Sequence, residues 1–490
     1  MTTRDQNETL RLFKQALPFN DLAESEWQNL VENLQEHSFR KKDTIILDGE
    51  QSNQLFLVLQ GECCLYKKNL AVKHYNKGDF FGELAFLNPD NRVGTIIAES
   101  DVVVMALHPM FLETAEHLQL QSKIYKGLAK HISSYLRDED SLYRNIDVLI
   151  IQDGGCAPGY NPVTAFVSEY LEKSGQNVFV AANGFRSLVS NRSQDYRCLV
   201  YSKELYSQIE HIPGVVFSPP LREARGADFR SERFPQFKQQ ELQQIAAQNI
   251  QQRNVRVVIG IGGNGTFAGT KALSRFLGDE IQVFFIPVTI DSDVSGTECI
   301  GEYTGVEVGS EKIRCYMADA RTHKRLYIIE MMGAKGGYHA LHSCLGAGAH
   351  LAVLPNQDHD VEALVKAINN RDGTVIVVAE GYKSKHRKQV GYTGNAATFF
   401  RDELIAAGLN TTQKIVCEPF SRDIRGASPN NMDIMLAQRM ARGVSQMVSN
   451  GETQKMPAVL SDREYSISFT DIVTDNSVTS SLAALANRLT

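Results

Sequence analysis

Two short loops hold the residues whose types and spacing could do chemistry. GIGGNGT, Gly260 to Thr266, ends the Val-rich run VRVVIGI, and PVTIDSD, Pro287 to Asp293, continues the run VFFIP. Both runs read as buried parallel strands, and Gly262, Gly263 and Gly265 allow a tight turn into a helix at Thr266. Such a turn aims unpaired N–H groups, and about half a positive charge from the helix N-terminus, at a ligand; phosphates gather there. Asp291 and Asp293 would then stand at the carboxyl edge of the same sheet, where open α/β sheets bind ligands. A phosphate cradle beside two carboxylates on one sheet edge points to phosphoryl transfer.

The elements that must position these loops follow two rhythms. Up to about His108 the chain shows short alternating strands punctuated by glycine, which predicts a small antiparallel β-roll, preceded by an amphipathic helix around Ser25 to Gln35. A long helix is expected from Pro109 to about Asp138, and RDEDSLYRN reads as a charged connector. Beyond it, DVLIIQ, NVFVAA, VRVVIGI, VFFIP, LYIIEMM, HLAVLP, TVIVVAEG and KIVCE alternate with helical stretches, the pattern of doubly wound parallel sheets. Two domains are expected, 1–140 and 141–490.

With 490 residues, a formal charge of -6 and 22% charged residues, the chain reads as a cytoplasmic protein rather than a nucleic-acid binder, which would carry a basic stripe. No run approaches the roughly 20 apolar residues of a membrane span, and MTTRDQNETLRLF lacks a signal-peptide core. Eight cysteines without paired spacing indicate neither a disulfide framework nor a zinc site.

Seven blocks, GGCAPGYN at Gly154, SERFPQF at Ser231, GGNGT, PVTIDSDVSGTE, THKR at Thr322, EMMG at Glu330 and IRGASP at Ile424, occur in an order and spacing that resembles 6-phosphofructokinase over roughly Asn145 to Val448. The resemblance implies a two-lobed, doubly wound fold and transfer of a phosphoryl group from ATP, with Mg2+, to fructose 6-phosphate. It assigns Asp291 as the base, Asp293 as a metal and substrate ligand, and Thr289 as a donor to a phosphoryl oxygen. Gly154, Gly262, Gly263, Asn264, Gly265 and Thr266 would cradle the nucleotide phosphates. Arg233 and Arg325 take the family's cationic positions, Met332, Gly333 and Glu380 the sugar-binding ones, and Arg422 and Arg425 fall in the last block. Four positions depart from the family. Asn264 stands where an aspartate would contact the metal, Ala334 replaces an arginine, Arg422 replaces a histidine, and the arginine reached from a neighbouring subunit has Lys414 as its nearest counterpart. Gly265 favours ATP over pyrophosphate. Dimers or tetramers are expected because family sites are completed by a neighbouring subunit. A non-catalytic sensor and a pyrophosphate-dependent or other sugar-phosphate kinase stay open as alternatives.

KGDFFGELAFLNPDNRVGTIIA, Lys77 to Ala98, resembles the phosphate-binding cassette of cyclic-nucleotide-binding domains. That resemblance implies a cyclic phosphate held by the helix start at Gly82, Glu83 and Leu84, a ribose hydroxyl on Glu83 and the phosphate on Arg92. Val93 and Gly94 follow the arginine without the hydroxyl that cyclic-GMP binders often carry, so cyclic AMP is favoured over cyclic GMP.

Overall fold

The computed structural model describes residue 19 and residues 22–67, 70–89, 91–210, 212–231, 233–333, 336–355, 357–420, 422–474 and 480–489. MTTRDQNETLRLF, Ala334 and Lys335 lie outside them. The chain forms two compact units, one comprising the residues up to Arg144 together with Glu204–Val215, the other 145–203 and the residues from 216 on.

In the first unit, helix α1 (Glu24–Glu32) buries Trp27 and Leu30. Eight strands follow among the described residues: β1 (Gln35–Phe39), β2 (Thr44–Ile46), β3 (Leu55–Gln60), β4 (Cys63–Lys67), β5 (Leu70–Tyr75), β6 (Phe80–Phe81), β7 (Thr95–Ala98) and β8 (Val102–Leu107). They pair antiparallel in two four-stranded sheets, ordered β1-β8-β3-β6 and β2-β7-β4-β5, which is the expected roll. The helix expected from Pro109 begins later. Pro109–Phe111 and Ala115–His117 are single 3-10 turns, the first capped by His108 accepting the Met110 N–H at 3.3 Å. Helix α2 then runs Leu118–Arg144 and takes in nearly all of the supposed connector. RDEDSLYR holds no Gly or Pro, and charged residues with long side chains are good helix formers, so nothing in it stops the helix.

Among the described residues twelve further strands follow, all in the second unit save Val215 at the start of β12: β9 (Val148–Gln152), β10 (Val178–Ala181), β11 (Tyr196–Val200), β12 (Val215–Phe217), β13 (Val257–Gly262), β14 (Gln282–Pro287), β15 (Arg325–Met331), β16 (Leu351–Val353), β17 (Thr374–Ala379), β18 (Lys414–Phe420), β19 (Lys455–Leu460) and β20 (Arg463–Ser468). One sheet has the order β12-β11-β10-β9-β13-β14-β19-β20, the other β16-β17-β15-β18. In the larger sheet β10, β9, β13, β14 and β19 run parallel, whereas β11 and β20 are antiparallel to their neighbours β10 and β19. The smaller sheet is parallel throughout. All eight sequence-derived strands are present; β11, β12, β19 and β20 come in addition.

Four helices frame the loops at the sheet edge: α3 (Tyr160–Glu172), α4 (Asn264–Ser274), α5 (Glu302–His323) and α6 (Asn431–Ser449). Buried Asp433 near the start of α6 accepts the Gly301 and Thr304 N–H groups, each at 2.8 Å, and the Thr304 hydroxyl at 2.5 Å. It thereby satisfies orphan donors at the start of α5 and ties two helix starts together just past the acidic loop. No helix among the described residues is long and apolar enough to cross a membrane.

Close contact between β13 and α4 depends on Gly260, where an added Cβ would lie 2.1 Å from Thr270 Oγ1 and 3.1 Å from Thr270 Cβ. Gly260→Ala is expected to destabilise the protein by about 1 to 3 kcal/mol, the usual range for overpacking. Thr270→Ala in the same chain should restore part of it. Urea unfolding of the single and double mutants tests this; a single mutant as stable as the wild type would show that α4 does not need this approach.

Candidate active site

The two loops meet because their strands leave the sheet side by side. In the β13–β14 register Gly262 stands beside Pro287, and the Val288 N–H donates to the Gly262 carbonyl at 2.9 Å. The acidic loop is closed on itself by Thr289 N–H to Ile300 O at 3.0 Å and Ile300 N–H to Pro287 O at 3.1 Å. On the other side β9 delivers the third loop, with the Asp153 N–H on the Ile261 carbonyl at 3.2 Å. The Thr266 hydroxyl fastens that loop to the start of α4 by donating to the Asp153 carbonyl at 2.8 Å.

These loops line a cavity of about 1210 Å³. It gathers Gly154, Arg233, Gly263, Asn264, Gly265, Thr266, Thr289, Asp291, Asp293 and Arg425 of the expected residues. Gly262 lies just behind the wall, where a Cβ would come within 2.4 Å of the Asp153 carbonyl oxygen. Gly155 leaves room for both guanidinium groups: a Cβ there would lie 3.2 Å from Arg425 Nη1 and 3.6 Å from Arg233 Nη2. The two arginines therefore converge over the first glycine loop, the placement that binding of an anion requires.

The carboxylates face them. Burial, and next Asp293 and Glu380, push the Asp291 carboxyl up to about 6, while Arg425 and Arg233 pull it down. Burial also raises Asp293, against the Thr289 hydroxyl and the Asn264 N–H that bond it. Thr289 is thus engaged inside the loop, accepting the Asp291 N–H at 3.1 Å while its own proton goes to Asp293. Among the described residues, Asp293 Oδ1 is buried with no hydrogen-bond partner, as is Asp153 Oδ1. A buried carboxylate oxygen without a donor is costly unless a cation or proton supplies the missing interaction, so Asp293 fits a hard cation in the cavity.

Met332, Gly333 and Glu380 stand at the carboxyl edge of the smaller sheet. The Gly333 N–H donates to Glu380 Oε1 at 3.3 Å and the Glu380 N–H to Met331 O at 2.8 Å. Glu380 is near enough to raise Asp291, so this second cluster borders the cavity without lining it. Arg325 is not brought to the site within its own chain. It opens β15, six residues or about 20 Å from Met331, and bonds Asp319 Oδ2 at 2.8 Å and the Tyr327 hydroxyl at 3.3 Å. Lys414 stands opposite it in the β15–β18 register, at the same far edge. Arg422 opens the short helix Arg422–Arg425, and its side chain lies outside the described residues.

Sequence reasoning missed the far end of the cavity and one acidic group. Asp153, 8% exposed, has its carboxyl pushed up to about 7 by burial, against the pull of Arg233. Phe185, Phe234 and Phe237 line the cavity with Lys238 and Arg275, and the Phe185 and Phe237 rings stack at 4.3 Å, 14° from parallel. The spacing of Phe234 and Phe237 in SERFPQF was a visible signal; Phe185 lies far off in sequence.

In the first unit the cassette forms as expected. Gly82, at φ 91°, starts the short helix Glu83–Leu87, Glu83 is half-buried and Leu84 is 52% exposed. Arg92 is 5% exposed rather than a surface charge. It donates through Nε to Ser52 Oγ at 2.9 Å, Nη1 to Gly82 O at 3.1 Å and Nη2 to Gln54 O at 2.7 Å, which engages three of its five N–H groups.

A glycine loop and a Thr-x-Asp-x-Asp loop on one edge of doubly wound α/β sheets, with two guanidinium groups opposite, define a phosphotransferase of the kind that phosphorylates an alcohol. The family model described as phosphofructokinase matches residues 147–448, and that described as cyclic nucleotide-binding domain matches 36–114. The chain belongs to the phosphofructokinase family and carries an N-terminal domain of the cyclic nucleotide-binding family. It is similar to ATP-dependent 6-phosphofructokinase 1 of Clostridium perfringens, 27% identical over 349 residues, which cover 70% of this chain and 98% of the relative. The ATP-dependent 6-phosphofructokinase of Staphylococcus epidermidis is 26% identical over 352 residues with the same coverage. Among solved structures, Pichia pastoris phosphofructokinase in the T-state aligns with a TM-score of 0.56 at 19% identity, over 66% of this chain and 35% of that one. A pyrophosphate-dependent phosphofructokinase from Nitrosospira multiformis aligns at 0.55 and 17% identity, over 70% and 92%. These two likenesses speak to the fold alone.

The raised Asp291 carboxyl has a consequence for stability. A folded value near 6 against an ordinary 3.8 means that protonation favours the folded state, an advantage lost as pH rises through 6. At neutral pH the ionised group is a burden of about 3 kcal/mol, which Asn does not carry. Asp291→Asn should therefore melt at the same temperature as the wild type or higher at pH 7.5. A melting point several degrees lower would contradict the electrostatic picture of the cavity.

Proposed function

We propose that the chain transfers the γ-phosphoryl group of ATP to the 1-hydroxyl of fructose 6-phosphate, and that cyclic AMP, or cyclic GMP, binds the N-terminal domain and adjusts the reaction in a cytosolic protein. The observation that carries the reading is the convergence of Asp291, Asp293, Arg233 and Arg425 on the glycine loops in one cavity. Asp291 takes the hydroxyl proton as the new bond to phosphorus forms; a carboxyl near 6 is ionised at neutral pH yet more basic than an exposed one. Arg233 and Arg425 neutralise the charge that spreads over the transferring oxygens. The glycine loops and the start of α4 hold the nucleotide phosphates with backbone N–H groups. Mg2+ would be held by Asp293, with the neutral Asn264 beside it, and would supply charge neutralisation at the nucleotide phosphates. Met332, Gly333 and Glu380 form the sugar side. Glu380 can accept from a hydroxyl.

Support for ATP over pyrophosphate comes from the wall of Phe185, Phe234 and Phe237, which offers a purine apolar surface and would be idle with an inorganic donor. Arg325 and Lys414, aligned at the far edge, support assembly as a homodimer or homotetramer in which these cations serve a neighbour's sugar phosphate. The neutral Asn264 favours a second reading, a slow or silent sensor on the same fold, since loss of one preorganised electrostatic partner costs about 100-fold to 1,000-fold.

Asp291→Asn should lower turnover at least about 100-fold with fructose 6-phosphate and ATP bound normally. The wild-type kcat/KM should fall below pH 6 along a limb that follows this group. A mutant keeping more than a tenth of the wild-type rate would remove Asp291 from the role of base. Cyclic AMP should change the apparent affinity for fructose 6-phosphate by about 5-fold to 150-fold, and the sugar phosphate should change cyclic AMP affinity by the same factor. Calorimetry and steady-state kinetics measure the two factors; no cyclic nucleotide binding would refute the regulatory half.

A further inference from the structure

The β-roll carries a cluster unconnected with the cavity or the cassette. Cys64 and His74 stand directly opposite each other in the β4–β5 register, and Cys64 stands opposite Ile97 in the β4–β7 register. Glu99, two residues beyond Ile97, returns to the same face, because side chains alternate along a strand and direct partners share a face. The result is one ligand atom each from Cys64, His74 and Glu99, all within 4.8 Å of one another. His74 Nε2 lies 3.9 Å from Cys64 Sγ, and its Nδ1 lies 3.4 Å from Glu99 Oε2. Tyr66, two residues along β4, donates its hydroxyl to Glu99 Oε1 at 3.0 Å and so fixes the carboxylate.

We propose that Cys64, His74 and Glu99 bind a borderline divalent transition-metal ion, Zn2+ foremost, on the N-terminal domain. The donor chemistry selects that class. A thiolate and an imidazole disfavour Mg2+ and Ca2+, whereas one sulfur, one nitrogen and one oxygen all belong to the ligand set of Zn2+. His74 gives one ring nitrogen to an ion, and the three ligand atoms within 4.8 Å of one another must draw in to the roughly 3.5 Å that separates ligands on a tetrahedral Zn2+, a movement open to the exposed His74 and Glu99 side chains. On binding, the Cys64 S–H bond breaks, its proton leaves to solvent, and the sulfur lone pair forms the bond to the metal. Cys64 is buried while the His74 and Glu99 side chains are 47% and 34% exposed, so the fourth position opens toward water. Tyr66 plays the orienting role that partners of metal-bound carboxylates play elsewhere. Tyr206, in the segment 204–215 that groups with this unit, is close enough to Cys64 for the thiol to raise its hydroxyl, after burial and Glu210. The ion would thus clamp β4, β5 and the end of β7 next to that segment.

The spacing of the cysteines hid this site because each ligand comes from a different strand. Titration of the full-length, metal-free protein with Co2+, read by absorption, tests it. The expected result is one ion per chain with a sulfur-to-cobalt charge-transfer band and tetrahedral ligand-field bands, displaced by Zn2+ and not by Mg2+. Cys64→Ser should abolish the charge-transfer band, and Cys315→Ser, at an exposed cysteine, should keep it. His74→Ala, at an exposed side chain whose removal leaves the core intact, should weaken Zn2+ binding at least about 100-fold, and Tyr66→Phe about 10-fold. Absence of the band in the wild type, its persistence in Cys64→Ser, or unchanged Zn2+ affinity in His74→Ala would overturn the proposal. None of these readouts involves phosphoryl transfer.

Discussion

The hydrogen bond from the Val288 N–H to the Gly262 carbonyl, 2.9 Å long, is the constraint on which the catalytic unit depends. It closes the β13–β14 ladder at the point where both strands end, so the glycine loop and the acidic loop leave the sheet as neighbours. The helix start at Asn264 then faces the Asp291 loop by construction, since parallel strands in register must emit their loops at one edge. A slip of one residue would send every side chain of β14 to the opposite face of the sheet. The bonds of Asp433 to the start of α5 serve the same end from the far side of the acidic loop.

The cavity is built against stability. Asp291, Asp293 and Asp153 are largely withdrawn from water, and two of them hold a buried oxygen with no partner among the described residues. A fold selected for stability alone would replace them with apolar or amide groups. Arg233 and Arg425 offset part of the repulsion, and Gly155 leaves the Arg425 guanidinium room, since a Cβ there would lie 3.2 Å from its Nη1. Arg92 in the N-terminal domain shows the contrary solution: its charge is buried but supported by two carbonyls and a hydroxyl, so the cassette is held in shape by the residue assigned to the phosphate.

Much of this was legible in the sequence, and the reasons differ by element. Buried parallel strands are continuous apolar runs, so β9, β13, β14, β15 and β17 stood out, and Asp291, Asp293 and Gly262 to Thr266 followed as the residues just past them. Strand β20, REYSIS, is polar and mostly exposed, and gave no periodic signal. The helix start at Leu118 was obscured because 3-10 turns carry the same apolar spacing as the first turn of an α-helix. Arg325 belongs to a motif whose spacing does not reveal that it opens the strand that Met332 and Gly333 follow. Asp153 and Phe185 enter the cavity from loops whose proximity is a product of strand order, β10-β9-β13, which no local pattern encodes.

On the proposed reading, this cavity moves a phosphoryl group from a nucleotide to a sugar phosphate. Phosphorus-31 NMR of the purified full-length protein with Mg2+, fructose 6-phosphate and either ATP or pyrophosphate tests it most directly. A second sugar phosphate ester is expected to grow in step with ADP, with no such ester from pyrophosphate. A chain that binds both ligands yet forms no ester from either donor would contradict it.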